Sequence, residues 1–147
     1  MTTIAVGADH AGVHLKNLLA DHLRVVGHDV TDHGPDSDAR VDYPDFGAAV
    51  GRAVAAGDSE VGVLVCGSGI GICIAANKIA GIRAATVHDV TSARLARQHN
   101  DANIVCVGAR LLGEQVALDA LDAFLDAEFE GGRHAGRVAK IDALLTD

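Results

Sequence analysis

The sequence has few aromatic residues, a deficit of basic residues and no regular cysteine pattern. Aromatic side chains make up 3% of the 147 residues and tryptophan is absent, so small and branched aliphatic residues must build the core. Twelve Lys and Arg residues stand against 20 Asp and Glu residues, a net charge of −8 with His neutral. A negative field repels phosphate backbones and anionic lipid heads, so we expect no nucleic-acid partner and no membrane partner.

The cysteines and the apolar runs exclude several further classes. Cys66, Cys73 and Cys106 are an odd number without C-x-x-C spacing, which argues against a disulfide framework and a structural zinc site. No apolar run approaches the roughly 18 residues of a membrane span, and the N-terminus lacks the basic and apolar regions of a signal peptide. We therefore expect a cytoplasmic protein with reduced thiols.

Short apolar runs alternate with segments of helical spacing along the whole chain. Strands are predicted at residues 3–8, 28–32, 61–66, 83–87 and 104–107, and helices at 13–26, 44–56, 70–79, 90–99, 114–129 and about 137–145. Such alternation implies right-handed crossovers and a Rossmann-like three-layer α/β/α sandwich with a five-stranded parallel sheet. We expect the flavodoxin-like strand order and one domain over residues 1–147.

Polar residues follow several of the predicted strands. In open α/β sheets the ligand lies outside the carboxyl ends of the strands, at the point where the strand order reverses. In the flavodoxin-like order the first and third strands are neighbours at that point. The order therefore predicts that Asp9-His10 lies opposite Cys66-Gly67-Ser68.

A glycine-rich turn, Cys66-Gly67-Ser68-Gly69-Ile70-Gly71, joins the third predicted strand to a helix. Successive backbone N–H groups and the positive end of the helix dipole suit it to hold an anion, although tight packing also explains its glycines. Ile72 stands where a dinucleotide fingerprint needs a third glycine and where a C-x5-R phosphatase loop needs arginine. Neither of those functions is therefore indicated.

Five side chains in this pattern are candidates for acid–base chemistry or anion binding. Cys66 ends a strand beside N–H groups that favour its thiolate, whereas Cys73 and Cys106 read as buried packing residues. Ser68 either caps the helix or donates a proton, and His99 at a helix C-terminus is a proton donor or a surface charge. Arg133 and Arg137, four residues apart, either grip an anion or form an unpaired exposed doublet. No His/Asp/Glu ligand set appears, so no metal is expected.

Five motifs, taken together and in order, resemble the ribose-5-phosphate isomerase type B family, which also includes galactose-6-phosphate and allose-6-phosphate isomerases. The motifs are Gly7-Ala8-Asp9-His10-Ala11-Gly12, Cys66-Gly67-Ser68-Gly69-Ile70-Gly71, Ala75-Ala76-Asn77-Lys78, Gln98-His99-Asn100 and Glu130-Gly131-Gly132-Arg133-His134. The match covers nearly the whole chain. The resemblance implies interconversion of D-ribose 5-phosphate and D-ribulose 5-phosphate through an enediolate, without a cofactor, in the pentose phosphate pathway.

The resemblance also implies a role for each site residue. Cys66 is the base, Asp9 and His99 open the sugar ring, and Ser68 holds substrate hydroxyls. The N–H groups of the turn form the anion hole, His10, Arg110, Arg133 and Arg137 bind phosphate, and Tyr43 and Asn100 complete the pocket. The turn residues concerned are Gly67, Gly69, Ile70 and Gly71, with Ser68 between them. In another branch of the family a glutamate at the position of Ile72 is the base, and an isoleucine cannot abstract a proton.

For assembly, the resemblance implies a homodimer with active sites shared across the interface, and it is compatible with further assembly to a tetramer. Three alternative functions stay open at this point. They are an isomerase of allose 6-phosphate or a related six-carbon sugar phosphate, a non-catalytic sugar-phosphate sensor, and a phosphatase-like or nucleotide-binding flavodoxin-like domain.

Overall fold

Five strands and six helices alternate in the structure, a computed structural model that describes residues 1–145. The strands are β1 Thr3–Ala8, β2 Asp29–Asp32, β3 Val61–Cys66, β4 Ala84–Thr86 and β5 Ile104–Gly108. The helices are α1 Val13–Val25, α2 Tyr43–Ala55, α3 Gly71–Ala76, α4 Val90–Asn100, α5 Glu114–Asp126 and α6 Arg133–Asp142. Each predicted strand and helix is present, and the last two positions of the predicted 1–147 domain lie outside the described residues.

All strand pairs in the sheet are parallel, and the order is β2-β1-β3-β5-β4. The predicted five-stranded parallel sheet is confirmed. The flavodoxin-like order is wrong for the last two strands, because β5 lies beside β3 and β4 forms the edge. The cause is burial: β5 is buried throughout, whereas β4 has three half-buried residues. A short strand offers few backbone groups for pairing, so it suits the edge of the sheet, where only one side of the strand is paired.

Helices cover both faces of the sheet. Alternate strand residues such as Ile4 and Val63 pack with the helices α1, α4 and α5 on one face. Their neighbours Ala5 and Leu64 pack with α2 and α3 on the other face. The period of two along each strand therefore builds two apolar cores, and the predicted three-layer sandwich is confirmed. Within residues 1–145, no helix has both the length and the apolar character needed to cross a bilayer.

α6 begins at Arg133, about four residues earlier than the helical spacing predicts. Its buried side chains are His134 and Val138, one turn apart on a single face. Gly131 and Gly132, both at positive φ, lead directly into this helix. The apolar pattern did not reveal the first turn of α6, because one of the two buried residues of this helix is a histidine rather than an apolar residue.

Two polar side chains hold the margins of the sheet. Lys16 on α1 is only 1% exposed, and its Nζ donates to both carboxylate oxygens of Asp32, at 2.8 and 2.7 Å, and to the Pro35 carbonyl at 2.9 Å. At the other edge, Asn77 donates to the carbonyl of Ala84 at 2.9 Å and accepts from its N–H at 2.8 Å. Lys16 thus ties α1 to the end of β2, and Asn77 occupies the outer side of β4.

Candidate active site

A cleft of about 510 Å³ opens at the carboxyl ends of β1 and β3. The two strands are neighbours, with Ala8 opposite Val65, and the N–H of Asp9 donates to the Val65 carbonyl at 3.1 Å. The predicted placement of Asp9-His10 opposite Cys66-Ser68 is therefore confirmed. The cleft is lined by Asp9, His10, Ala11, Tyr43, Cys66, Gly67, Ser68, Ile70, Gly71, Arg110 and Leu111.

Cys66, the last residue of β3, presents its thiol to this cleft while remaining 4% exposed. The N–H of Gly69 donates to its Sγ at 3.2 Å. Gly69 has a φ of +74°, and a Cβ there would lie 2.7 Å from the Val107 carbonyl carbon, so only glycine fits this position. The Gly69 N–H therefore orients the Cys66 sulfur, the atom that acts as base or nucleophile in reactive cysteines.

Some of the backbone N–H groups in the turn after Cys66 already form hydrogen bonds within the chain. The Ile70 N–H donates to Ser68 Oγ at 3.2 Å, and the Gly69 N–H is directed at Cys66. Ser68 thus accepts a hydrogen bond within the turn, and its hydroxyl proton can still be donated. The capping interpretation is wrong, because α3 begins at Gly71 with Ile70 as its N-cap and has no side-chain capping hydrogen bond. Since two of the N–H groups are engaged, an anion in this turn would rely on those of Gly67, Ser68 and Gly71.

Asp9 and His10 are held in fixed orientations by backbone groups. Asp9 Oδ1 accepts from the N–H groups of Ala11 at 3.0 Å and Gly12 at 3.2 Å, just before α1 begins. His10 Nδ1 lies 3.1 Å from the carbonyl oxygen and 3.2 Å from the nitrogen of Val41. Because Nδ1 is occupied by the main chain, Nε2 is the nitrogen of His10 that is left for a ligand.

Tyr43 and Arg110 form two walls of the cleft. Tyr43 is the first residue of α2, and a Cβ on Gly71 would lie 2.7 Å from its ring, so the ring packs directly on the turn. The Arg110 guanidinium lies beside Gly67, and the Arg110 N–H donates to the Gly67 carbonyl at 2.9 Å. A cation and a phenol therefore lie against the turn that follows Cys66.

The other predicted site residues, His99, Asn100, Arg133 and Arg137, do not line this cleft. α4 starts beyond the carboxyl end of β4 and returns to the amino end of β5. At 1.5 Å per residue its 11 residues span about 16 Å, so His99 and Asn100 lie toward the amino ends of the strands, away from the cleft. Within one chain, the predicted site residues therefore form two separate groups.

The second group centres on a stacked pair of histidines. The rings of His99 and His134 lie 4.2 Å apart at an angle of 14°. Glu130 Oε1 lies 3.4 Å from His99 Nε2 and 4.0 Å from His134 Nε2. Sequence reasoning assigned no role to Glu130 or His134, and their signal in the sequence is their place at the two ends of the motif that contains Arg133.

The charges around this pair are mostly positive. Burial, then the positive charge of Arg133 and then His99 lower the pKa of His134, with Glu130 opposing them, so the ring is favoured in its neutral form. Arg133 and Arg137 are exposed, and neither forms an ion pair with any residue in the described part of the chain. Their guanidinium groups are available to an anion.

The remaining cysteines have structural positions, as expected. Cys73 lies in α3 and Cys106 in β5, and both belong to the core on the α2 and α3 face. Burial raises the pKa of the Cys106 thiol well above its usual 9.0, which keeps it protonated. Neither residue lines the cleft around Cys66.

Comparisons with known proteins agree on one family. The family model described as ribose/galactose isomerase matches residues 4–141. Ribose-5-phosphate isomerase B of Escherichia coli (strain K12) is 47% identical over 98% of this chain and 97% of its own. D-erythrulose-4-phosphate isomerase of Pectobacterium atrosepticum is 46% identical over 96% of this chain and 93% of its own.

A solved structure shows the same fold. Ribose-5-phosphate isomerase B from Mycoplasma genitalium, with bound ribulose-5-phosphate, is 42% identical and superposes with a TM-score of 0.92. The comparison covers 97% of this chain and 95% of that one. Together with the family model, which extends over almost the entire sequence, this similarity shows that the chain belongs to the ribose/galactose isomerase family.

Proposed function

We propose that this chain is an aldose–ketose isomerase that interconverts D-ribose 5-phosphate and D-ribulose 5-phosphate, with Cys66 as the base. The observation that carries the proposal is the Cys66 thiol, which accepts a hydrogen bond from Gly69 in a cleft shared with Asp9 and Ser68. The 47% identical relative named ribose-5-phosphate isomerase B and the neighbour holding ribulose-5-phosphate support the substrate.

The first chemical step opens the sugar ring. His99 donates a proton to the ring oxygen as the bond from that oxygen to C1 breaks. Asp9 accepts the proton of the C1 hydroxyl, so C1 becomes an aldehyde. The Asp9 carboxylate suits this step because two N–H groups already fix its orientation.

The second step moves a hydrogen between carbons. The Cys66 thiolate takes the proton from C2, the C2–H electrons form a C1–C2 double bond, and the aldehyde oxygen becomes an oxyanion. The resulting thiol then gives its proton to C1, and the proton of the C2 hydroxyl passes to the C1 oxyanion, which leaves a ketone at C2, a hydroxyl at C1 and the thiolate restored. Donors aimed at the oxyanion are typically worth about 3 kcal/mol each, and the N–H groups of Gly67 and Gly71, with the Ser68 hydroxyl, are placed beside the base.

The phosphate group holds the substrate in position during the reaction. Arg133 and Arg137 carry guanidinium groups without ion-pair partners in the described residues, and His10 and Arg110 add positive or donor groups at the cleft. Paired guanidinium groups bind phosphate oxygens in a defined geometry. Tyr43 and Asn100 complete the pocket.

The working unit is a homodimer with each site built from two chains. Two features support this: His99 and both arginines lie away from Cys66, and apolar side chains surround the Cys66 cleft. Ile70 is 53% exposed and Leu111 56% exposed, both in the cleft lining, and Ile74 is exposed nearby on α3. A second copy that covers these side chains would also bring its His99 to the cleft. We place this dimer in the cytoplasm.

A four-carbon sugar phosphate is the second candidate substrate. The 46% identical relative is named D-erythrulose-4-phosphate isomerase, so similarity at this level is compatible with a shorter sugar. One carbon unit in a pocket typically changes discrimination by only about 1–3 kcal/mol. Selection between the two sugars therefore depends on the distance from the phosphate-binding residues to Cys66, which must match the length of the sugar.

The test is kcat/KM for ribose 5-phosphate, erythrulose 4-phosphate and allose 6-phosphate, with ketose or aldose product and free phosphate measured in parallel. We expect the highest kcat/KM for ribose 5-phosphate, slower or no turnover of allose 6-phosphate, and no phosphate release. Preference for another sugar would overturn the substrate. Released phosphate, or binding without turnover, would overturn the isomerase assignment.

A further inference from the structure

We propose that His99, Glu130 and His134 form a binding site for a transition-metal dication of the Zn²⁺ class. One possible ligand atom from each residue lies within 4.8 Å of those of the other two. The set of two imidazoles and one carboxylate is a known type of three-residue zinc ligation that leaves a position open. This proposal concerns metal binding, and it stands whether or not the isomerase assignment is correct.

The buried nitrogen of His134 points to a ligand. The residue is 6% exposed, and its Nε2 is buried without a hydrogen-bond partner in the described residues. Leaving a buried polar atom unpaired is costly, so such an atom calls for a partner.

The backbone holds the three residues in place on neighbouring elements. Glu130 is fixed to the end of α4 because its N–H donates to the Gln98 carbonyl at 3.0 Å. His134 lies in the first turn of α6, and its N–H donates to the Gly131 carbonyl at 2.9 Å. The backbone of Glu130 is therefore held between the end of α4, which carries His99, and the start of α6, which carries His134.

A bound ion would require one side chain to move. Zinc–ligand bonds of about 2.0–2.2 Å place ligand atoms roughly 3.5 Å apart, closer than the 4.8 Å limit observed here. The two rings are nearly parallel, so their lone pairs do not converge in the stacked arrangement. His99 is one-third exposed, whereas His134 is buried, so rotation of the His99 ring is the movement that closes the site.

The surroundings select the class of ion. Imidazole nitrogen suits Zn²⁺ and related transition metals, whereas Ca²⁺ and Mg²⁺ prefer sites made wholly of oxygen. Arg133 and Arg137 lie close enough to affect His134 and would repel any cation. Only an ion that gains strong bonds to nitrogen would offset this repulsion. We therefore expect Zn²⁺ to bind and Ca²⁺ and Mg²⁺ not to bind.

Titration of the untagged full chain with Zn²⁺, against a chromophoric chelator, tests the site. We expect one ion per chain, and substitution Glu130→Gln or His134→Gln should weaken binding by roughly 100-fold, at or beyond the 10–100-fold typical of losing an outer-shell partner. Glu130 is exposed, so its variant should fold, which circular dichroism verifies. The matched control is His22→Gln, which removes a histidine paired with Asp122 at 2.7 Å and should leave the affinity unchanged.

Titration with Co²⁺ identifies the ligands directly. We expect visible d–d bands without a thiolate charge-transfer band, and the same spectrum in Cys66→Ser. No saturable binding, an affinity unaffected by Glu130→Gln, or a thiolate band lost in Cys66→Ser would overturn the proposal.

Occupancy would also remove His99 from ring opening, a consequence that rests on the proposed function. Zn²⁺ should then inhibit the wild-type isomerase and leave Glu130→Gln far less sensitive. Stoichiometric binding without inhibition would support the metal site and overturn the proposed role of His99.

Discussion

Cys66 differs from Cys73 and Cys106 in its access to a cleft. All three residues belong to the core on the α2 and α3 face, but Cys66 also lines the cleft that holds Asp9, and its Sγ accepts from the Gly69 N–H there. A general base typically contributes a factor of about 10²–10⁴ to kcat, so Cys66→Ala should lower kcat by that amount with little change in KM. Steady-state kinetics on ribose 5-phosphate measures this.

The control for this prediction is Cys73→Ala, which removes a thiol from the same region without touching the cleft. It should retain kcat and lose only some stability. Near-normal turnover in Cys66→Ala would assign Cys66 to packing and leave the reaction without its base.

His134 makes the free energy of unfolding depend on pH. Its pKa is lowered in the folded chain, chiefly by burial, from an ordinary value of 6.5. As the pH falls through about 6.5 the unfolded chain binds this proton first, so the contribution to stability is complete above that pH and is lost below it. In His134→Gln, urea unfolding should show a smaller decrease in stability between about pH 7.5 and pH 5.5 than in the wild type. An equal decrease in both proteins would mean that His134 titrates alike in the folded and unfolded chains.

At the scale of elements, the Lys16 ammonium connects α1 to the end of β2 from a buried position. Lys16→Met keeps the length of the side chain but leaves Asp32 and the Pro35 carbonyl without their donor. Breaking a buried ion pair by removing one partner typically costs about 3–5 kcal/mol, and Asp32 is one-third exposed, so we expect about 3 kcal/mol. Urea unfolding measures the loss.

Lys140→Met is the comparison for Lys16→Met, because Lys140 is an exposed lysine near the end of α6. Its substitution should change the free energy of unfolding by less than about 0.5 kcal/mol. Equal small effects at both positions would mean that the Lys16 contacts contribute nothing net.

The pattern of apolar residues predicted the strands and helices well, because whether a segment forms a strand or a helix depends mainly on the residues within that segment. The strands β1 and β3 are continuous apolar runs, and Gly27 and Gly57 end helices at positive φ, as their positions indicated. The order of β4 and β5 could not be read in this way, since it depends on which strand the helices bury. The burial of Lys16 was equally hidden, because its partner Asp32 becomes a neighbour only when the sheet forms.

The candidate site was predictable in part for the same reason. Asp9 and Cys66 follow adjacent parallel strands, so the sheet brings them together whatever the rest of the chain does. His99 and Arg133 were recognised only through their motifs. Their distance from Cys66 follows from the direction of α4, and the stacked His99–His134 pair follows from the packing of α6 on α4.

For the whole molecule, the separation of His99 from Cys66 predicts complementation between two inactive variants. In a mixed dimer of His99→Ala and Cys66→Ala chains, one of the two sites contains both wild-type side chains. Random exchange makes half of the dimers mixed, so the mixture should regain about a quarter of wild-type activity, as two-fold symmetry requires. Activity is measured before and after verified subunit exchange.

A second mixture separates complementation from nonspecific rescue. Asp9 and Cys66 lie in the same cleft of the same chain, so Asp9→Asn mixed with Cys66→Ala leaves every site with one defect. This mixture should stay inactive. Activity in both mixtures, or in neither, would contradict a site shared in the proposed way.

The hydrogen bonds of Asn77 have a consequence for how copies of the chain meet. An edge strand exposes N–H and C=O groups that can pair with another sheet, and Asn77 supplies β4 with a one-residue substitute for such a neighbour. At the opposite margin, β2 carries the exposed charge of Asp29, while the Asp32 carboxylate is paired with Lys16. Both ends of the sheet are thus protected against strand addition and the fibrous aggregation that follows from it. Copies of this chain should therefore associate through contacts between side chains rather than through backbone pairing of their sheets.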